Sequence, residues 1–271
     1  MSSFHLAHLS DTHISAPGKF LFNGVDGSVQ LQKAIDWMME DQVTIDATLI
    51  TGDLTQDGHL EEYQHLHQIL EPLAKKMPIY LVMGNHDNYQ NFSQVFFDYP
   101  QVVSSQSIQC LQYTFRMGDY QFIVLDSLEL GDDQGHLRTE RLRWLDLTLR
   151  SSLNKTVLVV HHPMIDIGNR LMDEMHLFET EEFGEIVQKN SQIKLILCGH
   201  IHRTICGQFR GVPVIVAPST AHQYPVNITH ASAKVLSKEA PGFLIHTQID
   251  GENLLTHHIP ISHFLATNST C

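Results

Sequence analysis

The chain has 271 residues, a formal net charge of −13 at pH 7, 42% hydrophobic residues and 17% charged ones. This balance fits a packed globular protein and excludes a disordered chain. It also argues against a basic nucleic-acid-binding surface and against docking on anionic lipid.

In chain order, the pattern alternates short apolar runs with amphipathic stretches. Phe4–Ser10 reads as a strand, Ser28–Gln42 as a helix, Ala47–Thr51 as a strand, His59–Lys76 as a helix and Pro78–Met83 as a strand. Gln121–Leu125, Thr156–Val160 and Lys194–Cys198 are further strands, with helices over Thr139–Arg150 and Phe178–Asn190. Short apolar runs ended by Gly, Asp, Asn or His suit interior strands of a sheet covered on both faces. Leu142, Leu145 and Leu149 share one face of their helix at spacings of three and four. Beyond about residue 203 the pattern turns β-rich. Arg203–Phe209 and Val212–Ala217 flank the turn Arg210-Gly211, and Phe243–Ile249 and Leu254–Ile261 flank Asp250-Gly251. This C-terminal part is a candidate second sheet. The whole chain, 1–271, reads as one α/β domain with two packed sheets.

The four cysteines form no C-x-x-C pair and read as free thiols of a reducing compartment. No apolar run reaches a membrane span, and Met1–Ser10 lacks the basic start of a leader. A cytoplasmic protein without membrane insertion is expected.

The chemistry is concentrated at strand ends. Asp11-Thr12-His13 follows the first strand, Gly52-Asp53 the second and Gly84-Asn85-His86-Asp87 the third. His161-His162-Pro163 and Gly199-His200-Ile201-His202 follow later strands, and histidine is abundant throughout, 19 residues against 17 Lys plus Arg. In extended chain, residues i and i+2 point to one side, so Asp11 with His13, and His200 with His202, are each expected to converge. Ligands of open α/β sheets bind beyond the carboxyl ends of strands. About seven N and O donors meeting there are too many for one catalytic zinc with an open position, and suit two ions sharing a carboxylate. Asp53 is the natural bridge. Imidazole, carboxylate and amide oxygen without thiolate suit Fe, Mn or Zn. Two divalent ions less two carboxylates and a hydroxide leave a charge of about +1, enough to attract an anion to an acidic protein.

The ordered set D-x-H, G-D, G-N-H-D, H and G-H-x-H resembles the calcineurin-like metallophosphoesterase family, from Ser10 to His202. Thr51–Leu54, Gln56-Asp57, Leu197–His202, Ala217-Pro218-Ser219-Thr220 and Ala240-Pro241-Gly242 extend the likeness to its class III 3′,5′-cyclic AMP phosphodiesterases. The resemblance implies a four-layer αββα sandwich of two mixed sheets flanked by helices. It implies that Asp11, His13, Asp53 and His202 hold a first ion, and Asp53, Asn85, His161 and His200 a second, with divalent or mixed-valence metal. His86 becomes the catalytic imidazole, and His13, Asp53, Asn85, His86 and His202 touch substrate. His162 then stands behind His161, Asp87 is a candidate to orient His86, and Asp126 is a weaker supporting candidate.

The activity so implied is hydrolysis of 3′,5′-cyclic AMP to 5′-AMP by a metal-bridging hydroxide. One position departs from the pattern: the cyclic-nucleotide enzymes show H-G-x-L where this chain has Gln134-Gly135-His136-Leu137. His136 compensates only if its loop turns differently. Another phosphodiester, a glycerophosphodiester or UDP-diacylglucosamine, is the main alternative; the apolar stretch Met164–Phe178 suits the lipid. A non-catalytic interaction module on the same scaffold would have lost ligands that this chain keeps, and a nuclease would need basic patches that it lacks.

Overall fold

The computed structural model describes residues 3–40, 43–105, 110–152, 154–226 and 237–261. Its elements in chain order are β1 (Phe4–Leu9), α1 (Gly27–Met39), β2 (Ala47–Thr51), α2 (Leu60–Ala74), β3 (Ile79–Val82), α3 (Tyr89–Val95) and α4 (Pro100–Ser105). They continue with β4 (Tyr113–Met117), β5 (Tyr120–Leu125), α5 (Arg138–Arg150), β6 (Lys155–Val160), α6 (Arg170–Asp173), α7 (Thr180–Lys189) and β7 (Ile193–Cys198). Four strands close the series: β8 (Ile205–Phe209), β9 (Val212–Val216), β10 (Gly242–Gln248) and β11 (Leu255–Pro260). One sheet has the order β11-β10-β1-β2-β3, the other β4-β5-β6-β7-β9-β8. Both are mixed: β1-β2-β3 and β5-β6-β7-β9 are parallel, and the outer pairs are antiparallel.

Strand alternation builds the layers. On β5, β6 and β7, Phe122, Val124, Val157, Val159, Leu195 and Leu197 join the larger core. There Phe122 meets Phe4 of the other sheet edge-on, with ring centroids 6.3 Å apart. Their neighbours Ile123, Leu125, Leu158, Val160, Ile196 and Cys198 face outward and pack with residues of α5 and α7. On the far side of the first sheet, Trp37 of α1 packs on Phe243 of β10 at 5.3 Å. Two sheets between two helical layers result, as the sequence implies.

The C-terminal hairpins do not form a sheet of their own. The β8–β9 hairpin extends the six-stranded sheet through β7, and β10–β11 extends the five-stranded sheet through β1. Each hairpin follows its turn signal. Arg210-Gly211 is a two-residue turn between the paired Phe209 and Val212, with positive φ at both residues. Asp250-Gly251, also at positive φ, forms a turn closed by Glu252 N to Ile249 O within a longer loop between the paired Thr247 and Leu255. The reading from sequence lacked β4, which pairs with β5 across a turn at Gly118, and the short helices α3, α4 and α6.

Leu142, Leu145 and Leu149 are the buried residues of α5, as their spacing predicts. Leu145→Ala should cost about 2–5 kcal/mol by denaturant unfolding, the usual range for a cavity-forming core truncation. Metal content of the folded fraction should be unchanged, because α5 packs on the outer face, away from the strand ends that carry the site.

Candidate dimetal centre

All seven candidate ligands meet at the carboxyl ends of β1, β2, β3, β6 and β7, where the two sheets face each other. They form two groups. In the first, Asp11, His13, Asp53 and His202 are all buried, with ligand atoms within 4.8 Å of one another. His13 Nε2 lies 3.0 Å from His202 Nε2 and 3.6 Å from Asp53 Oδ2, and His202 Nε2 lies 3.4 Å from Asp11 Oδ1. In the second, Asn85 Oδ1 lies 3.2 Å from His161 Nε2 and 3.0 Å from His200 Nδ1, and Asp53 Oδ1 lies 3.4 Å from His161 Nε2. Asp53 turns one oxygen to each group, which puts its carboxylate between the two.

The donors fit cations. His161 Nδ1 donates to the Thr51 carbonyl at 2.6 Å, and His202 Nδ1 donates to the His222 carbonyl at 3.2 Å. Each bond fixes the proton on the far nitrogen and leaves the Nε2 lone pair facing the site. Burial, reinforced by His202 beside His13 and by His161 beside His200, lowers the pKa values of His13 and His200 well below the ordinary range, so these rings are neutral, as metal-binding imidazoles need to be. Burial opposes ionisation of Asp11, but His202, His161 and His13 together outweigh it and hold the carboxyl far below its usual value. Two glycines make the space: a Cβ on Gly84 would overlap Asp53 Oδ1, and one on Gly52, at φ +86°, would overlap the His161 ring.

Asp11 with His13, and His200 with His202, do converge on the site, though not as extended chain. Asp11, His13, Asp53, His200 and His202 all have φ between 44° and 73°, the left-handed region. Such conformations cost about 1–3 kcal/mol each and persist where surrounding contacts over-determine them. Here the backbone bonds Asp11 N to Gly52 O and His13 N to Asp53 O, both 3.0 Å, stitch the first two loops together. Asp11 also accepts from the His200 amide at 3.0 and 3.1 Å, and Ser219 Oγ donates to the Asp11 carbonyl at 2.7 Å.

His86 stands at the mouth of the site. Its amide donates to Asp53 Oδ1 at 3.0 Å, its Nδ1 bonds the Gln56 carbonyl at 2.7 Å, and its Nε2 has no hydrogen-bond partner among the described residues. Asp87 does not orient it. The Asp87 carboxylate accepts from the amides of Gly84, Leu54 and Thr55 and from the Tyr63 hydroxyl at 2.9–3.3 Å. It ties the β2 and β3 loops together, and burial, then Asp53, raises its pKa to about 7.

Asp126 likewise lies away from the ligands. It accepts from the amides of Leu111 and Leu128 at 2.7 and 2.9 Å and lines a separate cleft with Tyr89 and Arg141. His162 stacks behind the second group, 4.8 Å from the rings of both His161 and His200, with Nδ1 bonded to Ser127 Oγ at 2.7 Å.

Neither member of the departing H-G-x-L position reaches the cleft. Gln134 donates to the Glu174 carbonyl at 2.8 Å. His136 is buried between Asp132 and Glu179, at 3.1 and 3.4 Å. The compensation by His136 is therefore absent, because its loop turns that ring away, and Gln134 anchors the end of α6 instead. Leu171 and Met172 of the anchored helix and Met175 just beyond it, all within the apolar stretch Met164–Phe178, wall the cleft, together with Tyr224, which motif reading missed and whose ring stacks on His202 at 4.8 Å. Asp133 and Asn169 add polar groups, and no Lys or Arg lines the cleft among the described residues. His222 is a second omission. It is buried, packs 4.5 Å from the His202 ring, and has no hydrogen-bond partner for either ring nitrogen among the described residues. The Ala217-Pro218-Ser219-Thr220 run was its only signal, since Ser219 Oγ accepts the His222 amide at 3.1 Å.

The sequence profile of calcineurin-like phosphoesterases matches residues 4–204. The chain belongs to this family. A probable glycerophosphodiester phosphodiesterase GpdQ of Arcobacter nitrofigilis is 30% identical over 261 residues, covering 96% of this chain and 94% of that protein. The 3′,5′-cyclic adenosine monophosphate phosphodiesterase CpdA of Vibrio vulnificus is 30% identical over 225 residues, 82% of this chain and 78% of its own length. In fold, a dimetal phosphatase from Danio rerio superposes with a TM-score of 0.72 over 97% of this chain and 98% of that one, at 12% identity.

Proposed function

We propose that the protein is a dinuclear metal-dependent phosphodiesterase that hydrolyses 3′,5′-cyclic AMP to 5′-AMP. The observation that carries this reading is the pair of donor groups sharing Asp53 beside the unengaged Nε2 of His86. Asp11, His13, Asp53 and His202 would hold one ion, and Asp53, Asn85, His161 and His200 the other. When bound, two ions of Fe, Mn or Zn supply an activated water at neutral pH and neutralise phosphate charge.

The chain's own groups do the rest. His86 donates a proton from Nε2 to the departing ribose 3′-oxygen. Burial lowers its pKa, but Asp53 and the Gln56 carbonyl raise it more, toward the protonated form an acid needs; bound cations act in the opposite direction. His13, Asp53, Asn85 and His202 border the phosphate. Leu171, Met172, Met175 and Tyr224 offer an apolar wall to a base, and the lack of a lining cation leaves anion attraction to the metals.

A glycerophosphodiester substrate is the second reading, favoured by the GpdQ relative's alignment over 96% of this chain against 82% for the CpdA relative. No helix among the described residues is long and apolar enough to cross a membrane, and we place the activity in the cytoplasm on a small-molecule substrate. Phosphorus NMR of the metal-loaded enzyme with cyclic AMP, cyclic GMP, 2′,3′-cyclic AMP, glycerophosphodiesters and UDP-diacylglucosamine tests the substrate. The expected result is the highest kcat/KM for cyclic AMP, with 5′-AMP the sole product. Faster turnover of glycerophosphodiesters would move the assignment to the second reading.

A further inference from the structure

Two histidines outside the site, His8 on β1 and His246 on β10, are fully buried in the sheet that carries Asp11. They share the strand face that includes Phe4 and points at the other sheet. A continuous chain of hydrogen bonds runs through them. Thr256 Oγ1 lies 2.9 Å from His246 Nδ1, His246 Nε2 lies 2.9 Å from His8 Nδ1, and His8 Nε2 lies 2.9 Å from Thr51 Oγ1. Thr51 Oγ1 lies 2.8 Å from Ser10 Oγ, which lies 2.5 Å from Asp11 Oδ2.

The proton positions follow from the donor inventory. A carboxylate only accepts, so Ser10 donates to Asp11. A hydroxyl has one proton, so Ser10 accepts from Thr51, and Thr51 accepts from His8 Nε2–H. Burial lowers the pKa of both imidazoles, to about 3 for His246, so each ring is neutral with one donor and one acceptor. His8 Nδ1 therefore accepts from His246 Nε2–H, and His246 Nδ1 accepts from Thr256. Every proton in the chain points toward Asp11.

We propose that His8 and His246 are positioning residues for Asp11, fixing the direction of the hydroxyl chain so that Ser10 occupies Oδ2 and leaves Oδ1 for the metal. Without the His246 donor, His8 is free to carry its proton on Nδ1. Thr51 then donates to His8, and Ser10 is free to turn to the Thr51 carbonyl, 3.2 Å away. Asp11 then loses the hydroxyl donor at Oδ2 and keeps only the His200 amide. The inference rests on Asp11 being a metal ligand, as proposed above.

The test combines imidazole ¹⁵N NMR with zinc affinity by chelator competition. In zinc-loaded wild-type protein both rings should be Nε2–H tautomers; either ring found as Nδ1–H overturns the proposal. His246→Leu should shift His8 to Nδ1–H and weaken zinc binding about 10–100-fold, the usual effect of losing a group that supports a ligand. His246→Gln keeps an N–H donor toward His8 and should retain both tautomer and affinity. Equal losses in the two variants, or unchanged zinc affinity in His246→Leu, would overturn it. If the leucine variant does not fold, the wild-type spectrum and the glutamine variant decide. Failure of the wild-type protein to bind zinc would instead sink the metal assignment itself.

Discussion

Asp53→Ala should strip the protein of metal at both positions and reduce kcat/KM for any phosphodiester by more than about 10³-fold, roughly 4 kcal/mol of transition-state stabilisation. The reason is geometric. Oδ2 of Asp53 faces His13 and Oδ1 faces His161, so one side chain serves both donor groups. Its loss also leaves the His86 amide without its acceptor. Asp53→Asn separates charge from shape, because the amide keeps one oxygen near its place but cannot neutralise two cations. Elemental analysis of the purified, folded variants checks the result. Retention of one tightly held ion in both variants would show that Asp53 serves a single site.

The second large effect concerns His86. His86→Ala should keep wild-type metal content, since no ligand atom is lost, while turnover of substrates with alkoxide leaving groups falls about 10²–10⁴-fold, the range of general acid catalysis. With a nitrophenolate leaving group, which departs without a proton, the deficit should shrink markedly. The comparison isolates the proton from the positioning role of the ring, whose centroid lies 4.8 Å from that of His13. An equal loss for both leaving groups would assign His86 to substrate binding or electrostatics.

Much of this was legible in the sequence because the site is built at strand ends, and strands ending in polar clusters announce themselves. Six strands, β1, β2, β3, β5, β6 and β7, and four longer helices follow from apolar periodicity, although β3 is an edge strand rather than an interior one. The convergence of Asp11 with His13 was legible only in outcome. Extended chain would have aligned them, whereas the structure uses left-handed residues pinned by the Gly52 and Asp53 carbonyls, a long-range contact no local pattern encodes. Asp87 looked like support for His86 because it is adjacent in sequence. Its carboxylate instead collects three amides and a tyrosine hydroxyl from neighbouring loops. The apolar stretch Met164–Phe178 was legible as a candidate lipid contact, but the placement of Leu171, Met172 and Met175 as a wall of the cleft was not, because α6 is a single turn held by Gln134 rather than by its own amphipathic pattern. His8 and His246 were unreadable for the same kind of reason: 238 residues separate them, and strand pairing alone brings them together.

In the proposed enzyme, two ions held by these seven side chains are what make it a phosphodiesterase. Metal-free protein titrated with zinc or manganese, with bound metal and diester hydrolysis followed in the same samples, tests it most directly. Binding should saturate at two ions per chain, and activity should reach its maximum only as the second position fills. Full activity at one ion per chain, or hydrolysis by the metal-free protein, would contradict it.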